Sequence, residues 1–233
     1  MPTFLRLLVS TGRSCLAHGR ALALLAGTRL LVTLLVLTLG TAVLPSSQGI
    51  LVLLGGAVEW AGSAWFACVA WSALSGAGAG EAILESGRRT AAVGALLAAL
   101  WIPAMLLDVF AGAGGGAALR LLAAAGGLVA VALAALTPVA LAPAAAGVED
   151  LGPLEAVSRA RETGNGLQPG LGIRLVALAA LAGLPGVLVG PGRPLLHAAA
   201  RTAGDLLLWP AVGALWAAAC RAREFPCDLE LYA

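Results

Sequence analysis

Six apolar stretches, each long enough to cross a hydrocarbon layer as a helix, constrain this chain more than any other feature. At ~1.5 Å of rise per residue, about twenty residues span a core of roughly 30 Å. The stretches run approximately from Ala21 to Leu44, Ile50 to Ala73, Ala91 to Phe110, Ala118 to Ala142, Leu171 to Val189 and Leu195 to Cys220. An open sheet edge in lipid would leave backbone donors and acceptors unpaired, so unbroken helix is the economical form. The predicted fold class is therefore all-α: a polytopic membrane bundle of six transmembrane helices with short amphipathic cytoplasmic helices. Its parts are an amphipathic N-terminal segment over 1–20, the transmembrane domain over 21–220 and a C-terminal tail over 221–233. Only 11% of the residues are charged against 60% hydrophobic, far from the balance of a water-soluble domain.

Arginines set the orientation, because those close to helix ends stay on the cytoplasmic side. Arg6, Arg13 and Arg20 precede the first crossing, Arg88 and Arg89 lie between the second and third, and Arg159 and Arg161 between the fourth and fifth. Arg221 and Arg223 follow the last, whereas only Arg120, Arg193 and Arg201 flank the opposite loops. Both termini are thus expected in the cytoplasm, at an inner membrane. All 14 basic residues are Arg and the formal charge is +2, scattered rather than gathered, which argues against a nucleic-acid partner.

The first 20 residues interleave arginine with apolar residues, which is not the layout of a cleavable signal. Phe4, Leu7, Leu8, Cys15 and Leu16 recur at helical spacing opposite Arg6 and Arg13, so an interfacial helix is expected. Cys15, Cys68, Cys220 and Cys227 form no CxxC pair and read as free thiols, with a Cys220–Cys227 disulfide left open. Glu81-Ala82-Ile83 before Arg88, and Glu155-Ala156-Val157 before Arg159, predict two short surface helices. The glycine-rich pieces 74–80 and 111–116 read as flexible connections. Pro103, Pro138, Pro185 and Pro210 fall inside crossings, where each removes one helical donor.

Glu59 is the most informative side chain, since it lies roughly 13 Å inside the second crossing, near mid-bilayer. A carboxylate there is protonated, paired or beside water. Arg29 in the first crossing is its nearest candidate partner in sequence. The pair reads either as a structural tie or as a proton- or cation-handling site. A second polar group is drawn at the outer face from Asp108, Arg120, Arg201 and Asp205, the last two sharing a helix face at i and i+4. It reads as a vestibule or lipid headgroup site, or as charges reaching interfacial water.

Catalytic patterns are missing. There is no GxSxG elbow, no HExxH helix and, without Lys, no Walker A motif. His18 and His197 fall toward opposite faces, so no metal site is expected and no cofactor. A glycine pattern at Gly112–Ala117 lacks the strand that gives a dinucleotide fingerprint meaning. A lipid-modifying enzyme would need Asp108, His197 and Asp205 to converge at the outer face.

The order of residues from Pro143 to Val157, with Glu149, Gly152-Pro153-Leu154-Glu155-Ala156 and then Arg159 and Gly166, resembles one loop of a known family. That is the loop between helices four and five in the membrane-domain family associated with glycerophosphoryl diester phosphodiesterases. The ending, Arg221, Arg223 and Asp228-Leu229-Glu230-Leu231, is similar too. Two signatures differ: the family's Ser-Trp pair is Ala160-Arg161 here, and its Tyr-Tyr-Asp is Ala217–Ala219. The resemblance implies a six-helix bundle with cytoplasmic ends and no catalytic residues of its own.

These readings together favour a non-enzymatic inner-membrane protein, a membrane domain, scaffold or accessory subunit. Membrane lipids are its surroundings, and its partner is another protein or a second copy. Glu155, Arg159, Arg161, Arg221, Arg223, Asp228 and Glu230 are the expected cytoplasmic docking residues. The alternative is a transporter or channel built on Glu59 and Arg29.

Overall fold

The computed structural model describes residues 4–43, 48–112, 138–165, 168–189 and 194–223. Among them the chain is all-α. Helix α1 spans Phe4–Ala17, α2 Gly19–Val43, α3 Gln48–Leu74 and α4 Ala79–Gly112. A 3-10 turn, Pro138–Leu141, leads into α5, Ala142–Glu149; α6 spans Pro153–Gly164, α7 Gln168–Val189 and α8 Pro194–Ala222. The expected fourth crossing lies outside the described residues except for its helical end at 138–142.

Among the described residues two helical segments are long and apolar enough to cross a membrane, Gly19–Gly40 in α2 and Leu196–Ala222 in α8. They differ in environment. The α2 segment is only 28% buried, whereas that of α8 is 78% buried against neighbouring helices. α8 touches α1, α2, α3, α5 and α7, while α3 packs most extensively on α4.

The core gathers where α3, α5 and α8 meet. Phe66 to Trp71, all of α5 from Ala142 to Val148, and Ala211 to Cys220 are buried there. Small side chains allow the helices this close an approach. A Cβ on Gly147 would lie 2.3 Å from the Trp71 ring, and one on Gly204 would lie 2.1 Å from the Ala182 carbonyl oxygen. Both positions therefore exclude any side chain. Trp71 has no freedom to retreat, because its indole N–H donates to the Trp209 carbonyl at 2.7 Å and its ring meets Trp209 edge-on.

Several expectations change in detail. Residues 81–89 are not a separate surface helix; they form the first turns of α4, which continues unbroken to Gly112. The residues there, Glu81 to Arg89, contain no breaker strong enough to stop a helix. Glu85 helps fix the turn before it by accepting from the Ser72 hydroxyl at 3.2 Å. The flexible connection over 74–80 shrinks to Ser75–Gly78, turned by Gly76 at φ 97°. The second short helix does form, as α6. Cys15, Cys68 and Cys220 are free thiols, and Cys227 lies outside the described residues.

α1 matches the expected amphipathic helix with a different division of faces. Leu8, Thr11 and Cys15 turn toward the body, while Leu5, Val9 and Leu16 are exposed beside Arg6 and Arg13.

Candidate functional site

The four-residue spacing His197, Arg201, Asp205 and Trp209 aligns one face of α8. On α3, Glu59, Gly62, Ser63 and Phe66 follow the i, i+3, i+4, i+7 pattern of a single face. These two faces meet, and Arg29 enters between them from α2. The result is one continuous polar layer inside otherwise apolar helices.

Its inner part is closed. The guanidinium of Arg29 forms an ion pair with Asp205, and both side chains are largely shielded. Asp205 also accepts the Ser63 hydroxyl at 2.8 Å, and Ser63 accepts the Trp209 indole N–H at 3.2 Å. Arg29 rests over the Phe66 ring, 5.8 Å from its centroid. Gly62 leaves the space it needs, since a Cβ there would lie 3.3 Å from Nε. Burial of a guanidinium and a carboxylate is tolerable here because each finds an opposite charge and Asp205 gains a further donor.

The outer part is more open. Glu59 faces Arg201 Nε and His197 Nε2, each at 3.5 Å. The other ring nitrogen of His197, Nδ1, sits 3.2 Å from the Gly186 carbonyl, which holds the imidazole against α7. Gly186 is also where the Arg201 stem passes, 2.8 Å from a notional Cβ. Side chains of Glu59 and His197 are 23% exposed and that of Arg201 44%, so this end of the layer is less enclosed than the Arg29–Asp205 end.

This geometry corrects the expected pairing. Arg29 binds Asp205 rather than Glu59, and Glu59 takes Arg201 and His197 instead. Arg201 and Asp205 share a face yet turn to different helices, so they belong with Glu59 and Arg29 and not to a separate outer cluster. Of that expected cluster, Arg120 lies outside the described residues, and Asp108 lies in α4 with its side chain undescribed. Ser63 and His197 were the members hardest to foresee. Their signal is the repeat of four that links Glu59 to Ser63 and His197 to Asp205.

The residues expected to dock a partner divide likewise. Arg159 is spent internally, its Nε donating to Glu149 at 2.9 Å. The same carboxylate accepts the buried Trp216 indole at 3.1 Å, joining α5, α6 and α8. Burial pushes the Arg159 pKa down, but the hydrogen bond and charge of Glu149 outweigh it and leave it raised. Glu155 caps its own helix by accepting from the Gly152 N–H at 3.2 Å. Arg161, Arg221 and Arg223 are exposed. Asp228 and Glu230 lie outside the described residues. The motif from Pro143 to Arg159 is thus a packing device: Gly147 admits Trp71, Glu149 ties three helices and Glu155 starts α6.

Among the described residues no group of three His, Cys, Asp or Glu side chains is placed to hold a metal ion. Among the described residues the fold and site define an all-α protein with two helices long and apolar enough to cross a membrane and a charged layer across three helices. No family model, curated protein or solved structure matches the chain.

Proposed function

We propose that the chain is a non-enzymatic, multi-pass membrane domain that acts as a scaffold or accessory subunit. In this reading it crosses an inner membrane six times with both ends in the cytoplasm, as its resemblance to the phosphodiesterase-associated membrane domains implies. The supporting observation is where the ionisable groups go. Arg29, Asp205, Glu59, Arg201 and His197 are engaged with one another across α2, α3 and α8. Such ties orient helices that the hydrophobic effect alone does not hold together in lipid. The exposed Arg161 on α6 and Arg223 after α8 offer a charged surface to a partner. Purification in mild detergent after gentle crosslinking tests this: a stable homo-oligomer or a reproducible partner is expected, and a lone monomer contradicts it.

The openness of the Glu59 end favours a second reading, a transporter or channel using the polar layer. Flux in reconstituted vesicles separates the two. Unaltered background flux in Glu59→Gln supports the scaffold, and a specific flux abolished by that change supports the carrier.

A further inference from the structure

One exposed face of α2 changes character along its length, from Arg20 at its start to apolar residues beyond. α1 ends at Ala17 and α2 begins at Gly19, with His18 in a turn that bonds back to the Ser14 carbonyl and accepts from Leu22 N, both at 3.1 Å. Arg20 and Gly27, seven residues apart on α2, fall on nearly the same side, and Arg6 and Arg13 are exposed on α1 before them. At Arg20 this side is basic. Beyond it the side is apolar: Arg20, Ala23, Leu24, Gly27, Thr28 and Leu31 line a shallow groove of about 650 Å³. Leu24 and Leu31 are each 65% exposed along it. Thr28 adds no unmet polarity, since its hydroxyl donates to the Leu24 carbonyl at 2.9 Å. Gly27 is open, with nothing within 4 Å of a notional Cβ.

We propose that this face seats one anionic phospholipid. Its phosphate lies against Arg20, with Arg13 of α1 adding charge, and an acyl chain runs along Leu24 and Leu31. The argument is complementarity of two kinds meeting at one residue. A guanidinium recognises phosphate through several donors, and the apolar groove begins one turn further on. A water-soluble phosphate would leave the groove empty, and an uncharged lipid would leave the arginines unused. The proposal rests on the membrane reading above.

Native mass spectrometry of the full chain in detergent tests it, with phosphatidylglycerol and phosphatidylcholine of equal chain length as probes. Wild type is expected to retain one phosphatidylglycerol in preference to phosphatidylcholine. Arg20→Gln should reduce that preference about fivefold, with Arg13→Gln having a smaller effect. Gly27→Phe, which fills the groove without a clash, should abolish retention of both lipids while the circular dichroism stays helical. Equal retention of the two lipids by wild type, or undiminished phosphatidylglycerol binding in both Arg20→Gln and Gly27→Phe, overturns the proposal. Release of the protein from membranes by alkaline carbonate is a separate readout that defeats the membrane reading itself.

Discussion

Asp205 on α8 holds Arg29 of α2 in an ion pair while also accepting a hydrogen bond from Ser63 of α3, so one carboxylate fastens three helices. Removing either charge strands the other in an apolar setting. Arg29→Met or Asp205→Leu alone should destabilise the protein by about 3 kcal/mol, whereas the double variant should recover most of that loss. Thermal unfolding in detergent measures the cycle. Additive losses in the double variant would count against a direct pair.

The two closest helix contacts yield a steric prediction. Gly147→Ala and Gly204→Ala should each cost about 1–3 kcal/mol, because a methyl would overlap the Trp71 ring or the Ala182 carbonyl. Trp71→Leu should partly rescue Gly147→Ala and leave Gly204→Ala unrelieved. Denaturation midpoints of the two double variants check this.

Glu149 should behave as a tie and not as a docking residue. Glu149→Ala leaves the buried Trp216 indole N–H without its acceptor, which costs about 1–3 kcal/mol. Glu149→Gln should cost less, since the amide oxygen still accepts from Trp216. The Arg159 pKa is raised in the fold, so its contribution is fully present below the ordinary arginine range and is lost only above it. Stability should accordingly show no Arg159-dependent change between pH 7 and 10. A midpoint that falls in the wild type and not in Arg159→Gln over that range would contradict this.

Burial raises the Cys15 thiol above its ordinary value of 9.0. A raised pKa keeps the group neutral in the fold, so the stability tied to it is present below 9.0 and declines as pH rises through the folded value. Maleimide labelling of Cys15 at neutral pH should therefore be slower than that of an exposed cysteine, and should accelerate at a higher pH. Stopped labelling analysed by mass spectrometry reads the rate. A pH profile identical to free cysteine is the contrary result.

Most helices are legible because long apolar runs between breakers leave the backbone few alternatives that pair its own donors and acceptors. The α1 amphipathic pattern and the start of α6 at Gly152-Pro153 with Glu155 three residues on are direct local signals. The α4 continuity was missed because charge at Glu81 to Arg89 suggests a surface element, and charge does not stop a helix. Glu59 and Arg29 were legible as costly residues. Their partners were not, because sequence spacing gives neighbours within one helix and the pairing is set by how α2, α3 and α8 pack. Gly62 shows the limit clearly: only the packed helices reveal that its missing side chain is the berth for Arg29.

The proposed six passages through the bilayer are tested most directly by locating the two ends. Thr3→Cys and Glu230→Cys, each in a background lacking Cys15 and Cys227, can be probed with an impermeant maleimide in sealed right-side-out and inverted vesicles. Labelling of both positions only in inverted vesicles is predicted. Labelling of the two ends from opposite sides would contradict the account.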